Sequence, residues 1–180
     1  NSMLLEAGEL QVARFHADGS GEWLSLTPDA VVDPFRPSRF SEANLTCPVE
    51  LPHRDRDRAG AELFRDDASV AAYARQFPTL ADLYSGDGDA LQGAILIDAH
   101  LAASAIGATP TARPEDTKMD PITVDLLIAF TSGSPGGKGG ADPAVFLGPQ
   151  GQSSWGHGWV MRLSEHGERG FRWTMAVTGG

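Results

Sequence analysis

The sequence predicts a mainly β protein with inserted helices: about one and a half antiparallel four-stranded β-propeller blades, and therefore an incomplete propeller. Three observations predict it. Four strand-like runs follow one another through the C-terminal half, with turn residues joining the first pair and the last pair. A separate hairpin-like alternation stands near the N-terminus. The 21 glycines and 12 prolines favour turns and sheet over a helical bundle.

In chain order, "ELQVARF" (Glu9 to Phe15) alternates Leu10 and Val12 with polar residues, the period of a half-buried strand. "HADGSG" supplies turn residues, and "EWLSL" (Glu22 to Leu26) alternates again, so residues 9–26 read as the outer hairpin of one blade. Residues 27–66 are irregular and proline-rich, with the charge run "HRDRDRAG" (His53 to Gly60) read as a solvated loop. Residues 67–107 read as a helical insertion. Its first helix has Asp66, Asp67 and Ser69 as N-cap candidates, an apolar face of Val70, Tyr73, Ala74 and Phe77, and Pro78 as its stop. In the second, Asp89 is placed to cap, and Leu91, Ala94, Ile95, Asp98, Leu101, Ala102 and Ala105 recur at helical spacing. Gly107 sits where a left-handed C-cap belongs. The "AILI" within that run is also compatible with a short strand, but the length of the pattern and its two caps favour helix.

Residues 113–177 form the one complete blade. Its strands are Glu115 to Met119, "VDLLIAF" (Val124 to Phe130), "GWVMRL" (Gly158 to Leu163) and "GFRWTMAV" (Gly170 to Val177). "DPIT" and "SEHGERG" make the tight turns, the latter containing Ser164, Glu165 and His166. The glycine-rich stretch 131–156 reads as an exposed, mobile insertion. Residues 1–180 are thus expected to be a single partial propeller domain. A closed ring needs at least four blades, so the others are expected from segments outside this chain, with "NSM" a scar ahead of an internal start. Strand edges left open at both ends predict self-association.

The net charge of −10 repels phosphate backbones and anionic lipid, which disfavours a nucleic-acid or membrane-surface role. It suits calcium or iron binding as well as plain solubility. One cysteine, Cys47, excludes an internal disulfide. No run reaches the apolar length of a membrane span, and no basic region precedes an apolar stretch at the N-terminus, so no export signal segment is read here.

Three phrases occur together and in order: "LQVARFHADGSGEWLSL", "ILIDAHLAASAIGATPTARPED" and "GHGWVMRLSEHG". Jointly they resemble a middle portion of the PhoX-type alkaline phosphatases, a bacterial β-propeller family long catalogued as a domain of unknown function. The similarity runs from about Leu10 to Val177, interrupted by the proline-rich loop and the first helix. The resemblance implies a phosphomonoesterase on a roughly six-bladed propeller, with iron and calcium at the channel mouth, exported to the periplasm or beyond. It implies that Glu115, the glutamate of "RPE", is a metal ligand on an innermost strand. Hard cations take carboxylate oxygens, Pro114 stiffens the chain before the ligand, and Arg113 is placed to bind the phosphate of a small phosphate ester or a neighbouring carboxylate. The family's cysteine-bearing metal motif, paired glutamates and further acidic ligands are absent, and Cys47 in "NLTCPVE" carries no ligand role. "FTSGSPGGKGG" stands where relatives carry an Asn-rich segment, and Asp116 where they often carry an aromatic residue.

Each signal has a plainer rival. Glu115 could form a strand-initial ion pair with Arg113 or Lys118. Asp116 and Asp120 read as turn and surface carboxylates. His157, in a Gly-His pair at a strand start, reads as structural, and His16, His53, His100 and His166 lack partners at ligand spacing. Trp23, Trp155, Trp159 and Trp173 read as core. "GSPGGKGG" lacks the spacing and context of a phosphate loop, and Ser164–Glu165–His166 cannot be a triad by adjacency. The expectation is therefore a portion of a secreted metal-dependent phosphomonoesterase, inert as the isolated chain. The alternatives are a non-catalytic propeller binding module and a calcium-dependent propeller lactonase or esterase.

Overall fold

A computed structural model describes residues 8–41, 47–56, 58–133, 140–153 and 156–179. Among them the strands are β1 (Gln11–Phe15), β2 (Ser20–Ser25), β3 (Val49–Pro52), β4 (Ala61–Phe64), β5 (Pro114–Met119), β6 (Leu126–Phe130), β7 (Trp159–His166) and β8 (Gly170–Thr178). The helices are α1 (Asp67–Gln76), α2 (Leu80–Leu83), α3 (Asp89–Ile97) and α4 (Ala99–Ala105), with a 3-10 turn at Pro37–Phe40. The molecule is mainly β, as expected, and its principal sheet is antiparallel and curled.

That sheet has six strands in the order β1-β2-β8-β7-β6-β5, so the predicted four-strand meander is present, with the last turn shorter than predicted. The N-terminal hairpin differs from expectation. It does not stand apart in a preceding blade, because Ser20–Glu22 of β2 pair with Gly170–Arg172 of β8 and extend the same sheet. The reason is packing between elements far apart in sequence. Phe15 of β1 meets Phe171 and Trp173 of β8 edge-on, at ring-centroid distances of 5.1 and 5.8 Å. Gly21 admits the Phe171 ring against its backbone, where a Cβ would overlap the ring.

One face of the sheet is apolar. Along β7 the alternate residues Trp159, Met161 and Leu163 are buried, as the strand period requires. They meet Phe15, Phe130, Phe171 and Trp173. Most of the rest of this cluster comes from residues 140–146 of the β6–β7 connection, which corrects the expectation of an exposed insertion for that part. Ala141, Asp142, Val145 and Phe146 are buried, and Phe146 packs on Phe15, Trp159 and Trp173. Asp142 nucleates this piece: its carbonyl accepts from the Val145 and Phe146 amides and its carboxylate from the Ala144 amide. Trp159 and Trp173 fill core as predicted, Trp23 packs against the same cluster through Phe171, and Trp155 lies outside the described residues.

A second cluster lies between the helices, the β3–β4 hairpin and the chain following β2. Residues 27–66 are therefore not wholly irregular. Val49, Leu51 and Phe64 of β3 and β4 are buried beside Tyr73, and the charge run His53 to Gly60 is largely the connection of that hairpin. α1 matches its prediction: Asp66 caps it by accepting from the Ser69 amide at 2.8 Å, and Val70 and Tyr73 face the core. The predicted second helix is two. At Asp98 the backbone leaves helical geometry (φ −103°, ψ 27°), ending α3 and starting α4, while the Asp98 carboxylate accepts from the Tyr84 hydroxyl at 2.8 Å. α4 ends at Gly107 (φ 75°), where Arg14 of β1 donates to the Ile106 and Gly107 carbonyls at 2.6 and 2.9 Å. This contact ties the helical cluster to the sheet.

Candidate functional site

The strand edge bearing Arg113, Pro114 and Glu115 is distinguished by its backbone. Ala112 is buried and anchors the chain. Arg113 then adopts φ 47°, the left-handed region that is uncommon for a side-chain-bearing residue. Such a residue costs about 1–2 kcal/mol. Its carbonyl accepts from the Thr131 amide at 3.2 Å, which pins the strained corner to the end of β6. Pro114 then pairs with Phe130 and Asp116 with Ala129, leaving Glu115 as the extra residue of a β-bulge. Bulges re-aim a side chain, and proline is tolerated on an edge strand because its missing donor faces away from the ladder. The sequence "RPE" thus encodes a strained residue, a stiff one and a bulged one in succession.

Arg113 and Glu115 come together, with Nη2 and Oε1 at 3.5 Å and side chains 70% and 49% exposed. An ion pair this exposed contributes about 0–1 kcal/mol, too little to account for the strain. Asp116 accepts from the Thr117 amide at 2.8 Å and lies 3.9 Å from Lys118, so it serves locally. All of β5 is exposed, and it forms one free edge of the sheet.

Two charged clusters escaped the sequence reading. In the first, Arg162 on β7 donates to Asp120 at 3.1 Å and Asp125 at 3.0 Å, clamping the β5–β6 turn. Asp120 is therefore more than a turn carboxylate. Its pKa is held below the usual carboxylate range, first by the Ile122 amide and then by Thr123 and Arg162. That of Asp125 is lowered by the Ser164 hydroxyl first, then by Thr123 and Arg162. In the second cluster the fully buried Asp142 receives the Arg39 Nε at 2.6 Å, and the Arg39 guanidinium lies 4.5 Å from the centroid of the Phe35 ring. "ADPAVF" did carry a signal, since an aspartate-proline turn running into Val145 and Phe146 is a core-entering turn.

The remaining candidates stay scattered. His157 is exposed at the approach to β7. Cys47 is half-buried, packs on the helical cluster, and its amide donates to the Ser41 hydroxyl at 3.2 Å. Ser164 to His166 belong to β7 rather than to the turn, which starts at Gly167. Lys138 of the glycine run lies outside the described residues. Among the described residues no group of three or more His, Cys, Asp or Glu side chains is disposed to hold a metal ion. Likewise no helix is long and apolar enough to cross a membrane.

A curled antiparallel sheet with one exposed free edge, on which the bulged Glu115 lies beside Arg113, defines the class: a mainly β protein. The chain belongs to the PhoX alkaline phosphatase family, whose model, alkaline phosphatase PhoX, matches residues 1–180. No curated protein and no solved structure matches it.

Proposed function

We propose that this chain is part of a secreted, metal-dependent phosphomonoesterase in which Glu115 supplies a metal ligand and Arg113 binds the phosphate of a small ester. Membership in an alkaline phosphatase family supports the reaction class. The observation that carries the residue assignment is the bulge: Glu115 is the residue left out of the β5–β6 register, directly after a residue at φ 47°. Strain of that kind concentrates at functional sites, and the bulge turns a half-exposed carboxylate off the regular face of the strand.

The donor fits a hard cation such as calcium or iron, since a carboxylate offers one or two oxygens. One carboxylate is not a site. The other ligands would come from outside the described residues, so the isolated chain is inert in this reading. Bound ions would neutralise charge developing on the ester. Arg113 would orient the phosphate through its planar fork, exchanging its present partner Glu115 for phosphate oxygens. The sheet would then be part of a propeller, with β5 innermost, facing the channel. Its open edge, and that of β1, would pair with neighbouring segments or, in the isolated chain, with a second copy.

Elemental analysis of the full-length protein and of its Glu115→Ala variant tests this. The variant is expected to lose calcium or iron together with chelator-sensitive release of phosphate from an aryl phosphate. Equal metal content in the two proteins removes Glu115 from the site.

A further inference from the structure

A cleft of about 390 Å³ runs along the inner end of the same corner. Its walls come from every layer of the molecule: Val12 and Phe15 of β1, Phe35 and Phe40 before β3, Ala103 of α4, and Pro114 itself. The polar groups on it are His100 and Ser104, one helical turn apart on α4, with Thr109 and Thr111 on the segment that leads to Arg113. Thr109 is committed to the fold, since its hydroxyl accepts from the Phe15 amide at 2.8 Å. In a chain with net charge −10, no aspartate, glutamate, lysine or arginine among the described residues lines this cleft.

Those features set the occupant. A volume of this order holds one small organic molecule, and a mostly apolar wall with a few convergent polar groups is how such sites are built. A wall with no lysine or arginine compensates the desolvation of a phosphate poorly, so the anionic part of a ligand stays outside. Aromatic side chains at three wall positions, Phe15, Phe35 and Phe40, favour a flat ring. Pro114 lies on the cleft wall and stands between Arg113 and Glu115 in sequence, which places the cleft next to that edge.

We propose that this cleft is the subsite for the organic group of the ester, a neutral aromatic alcohol, with His100, Ser104 or Thr111 bonding its polar substituent. This inference rests on the phosphomonoesterase reading for its biological meaning, but the binding event does not need metal or Glu115.

The test uses the 180-residue chain, amide-resolved NMR, and 2-naphthol as the probe, with inorganic phosphate in a parallel titration. 2-Naphthol is expected to give saturable shifts at Ala13, Ala103 and Thr111, and inorganic phosphate none there. Ala103→Leu, which keeps a good helix former while filling the cleft, is expected to weaken 2-naphthol at least about tenfold, or about 1.4 kcal/mol, with an unchanged amide spectrum elsewhere. Thr111→Leu fills the opposite wall and serves if Ala103→Leu disturbs folding. Absence of saturable shifts, an affinity in both filled variants equal to that of the parent chain, or the same shifts with inorganic phosphate overturns the subsite. The metal content of full-length Glu115→Ala is a separate readout, so loss of metal there together with a silent cleft defeats the subsite and leaves the Glu115 assignment standing.

Discussion

Val124 holds φ 65° with a β-branched side chain that is 67% exposed, an arrangement that offers strain and no burial in return. It closes the β5–β6 turn, its amide donating to the Asp120 carbonyl at 2.9 Å. Asparagine tolerates this region far better than valine. Val124→Asn is therefore expected to stabilise the protein by about 1 kcal/mol, seen as a higher Tm. Arg113 shares the left-handed geometry, but it sits beside the bulged carboxylate rather than in a plain turn, which is why it is assigned a role and Val124 is not. At Gly21 the constraint is space. Gly21→Ala sets a methyl against the Phe171 ring and is expected to destabilise by about 1–3 kcal/mol, measured by denaturant unfolding.

At the scale of elements, two arginines join pieces that sequence leaves apart. Arg39 reaches across to Asp142, which is fully buried while Arg39 is one-third exposed. Arg39→Met strands a buried carboxylate, and with allowance for the exposed partner the loss is expected to be about 2–3 kcal/mol, read as a lowered unfolding midpoint. Arg162 clamps Asp120 and Asp125 across the β5–β6 turn. Both carboxylates titrate below their unfolded range, so their contribution to stability is complete above the unfolded aspartate pKa of about 3.9 and fades as pH falls through the lower folded values. Amide hydrogen-exchange protection in residues 120–125, taken relative to the intrinsic rate at each pH, is accordingly expected to fall below about pH 4 in the native protein. In Arg162→Met the turn should already exchange faster at neutral pH.

At the scale of the molecule, two apolar clusters share one scaffold, joined where Arg14 grips the end of α4. Gly107 serves that junction twice, through its positive φ and through the space it leaves for the Arg14 guanidinium. Gly107→Val is expected to uncouple the clusters, giving two unfolding transitions by calorimetry where the parent chain shows one. The Arg113–Glu115 corner sits at the free edge of this scaffold, beside the exposed strand β5.

Local pattern made a good part of this legible. Alternation with flanking turns located the hairpin and the four-strand meander, because strand period and turn chemistry are short-range properties. Asp66 and Gly107 marked helix ends for the same reason. "RPE" was visible as an unusual triplet, although its bulge and positive φ were not, since both arise from pairing with β6. Long-range packing decided the rest. The hairpin joined β8 because Phe15, Phe171 and Trp173 share one apolar face, and residues 140–146 entered the core because Phe146 completes that face. Sequence alone determined the family, the N-terminal hairpin, the four-strand meander and the first helix; tertiary structure decided the β3–β4 hairpin, the break at Asp98, which sheet the strands built and which carboxylates became buried or clamped. The reason is that propensity acts over a few residues, whereas burial of Asp142 depends on Arg39, over a hundred positions away.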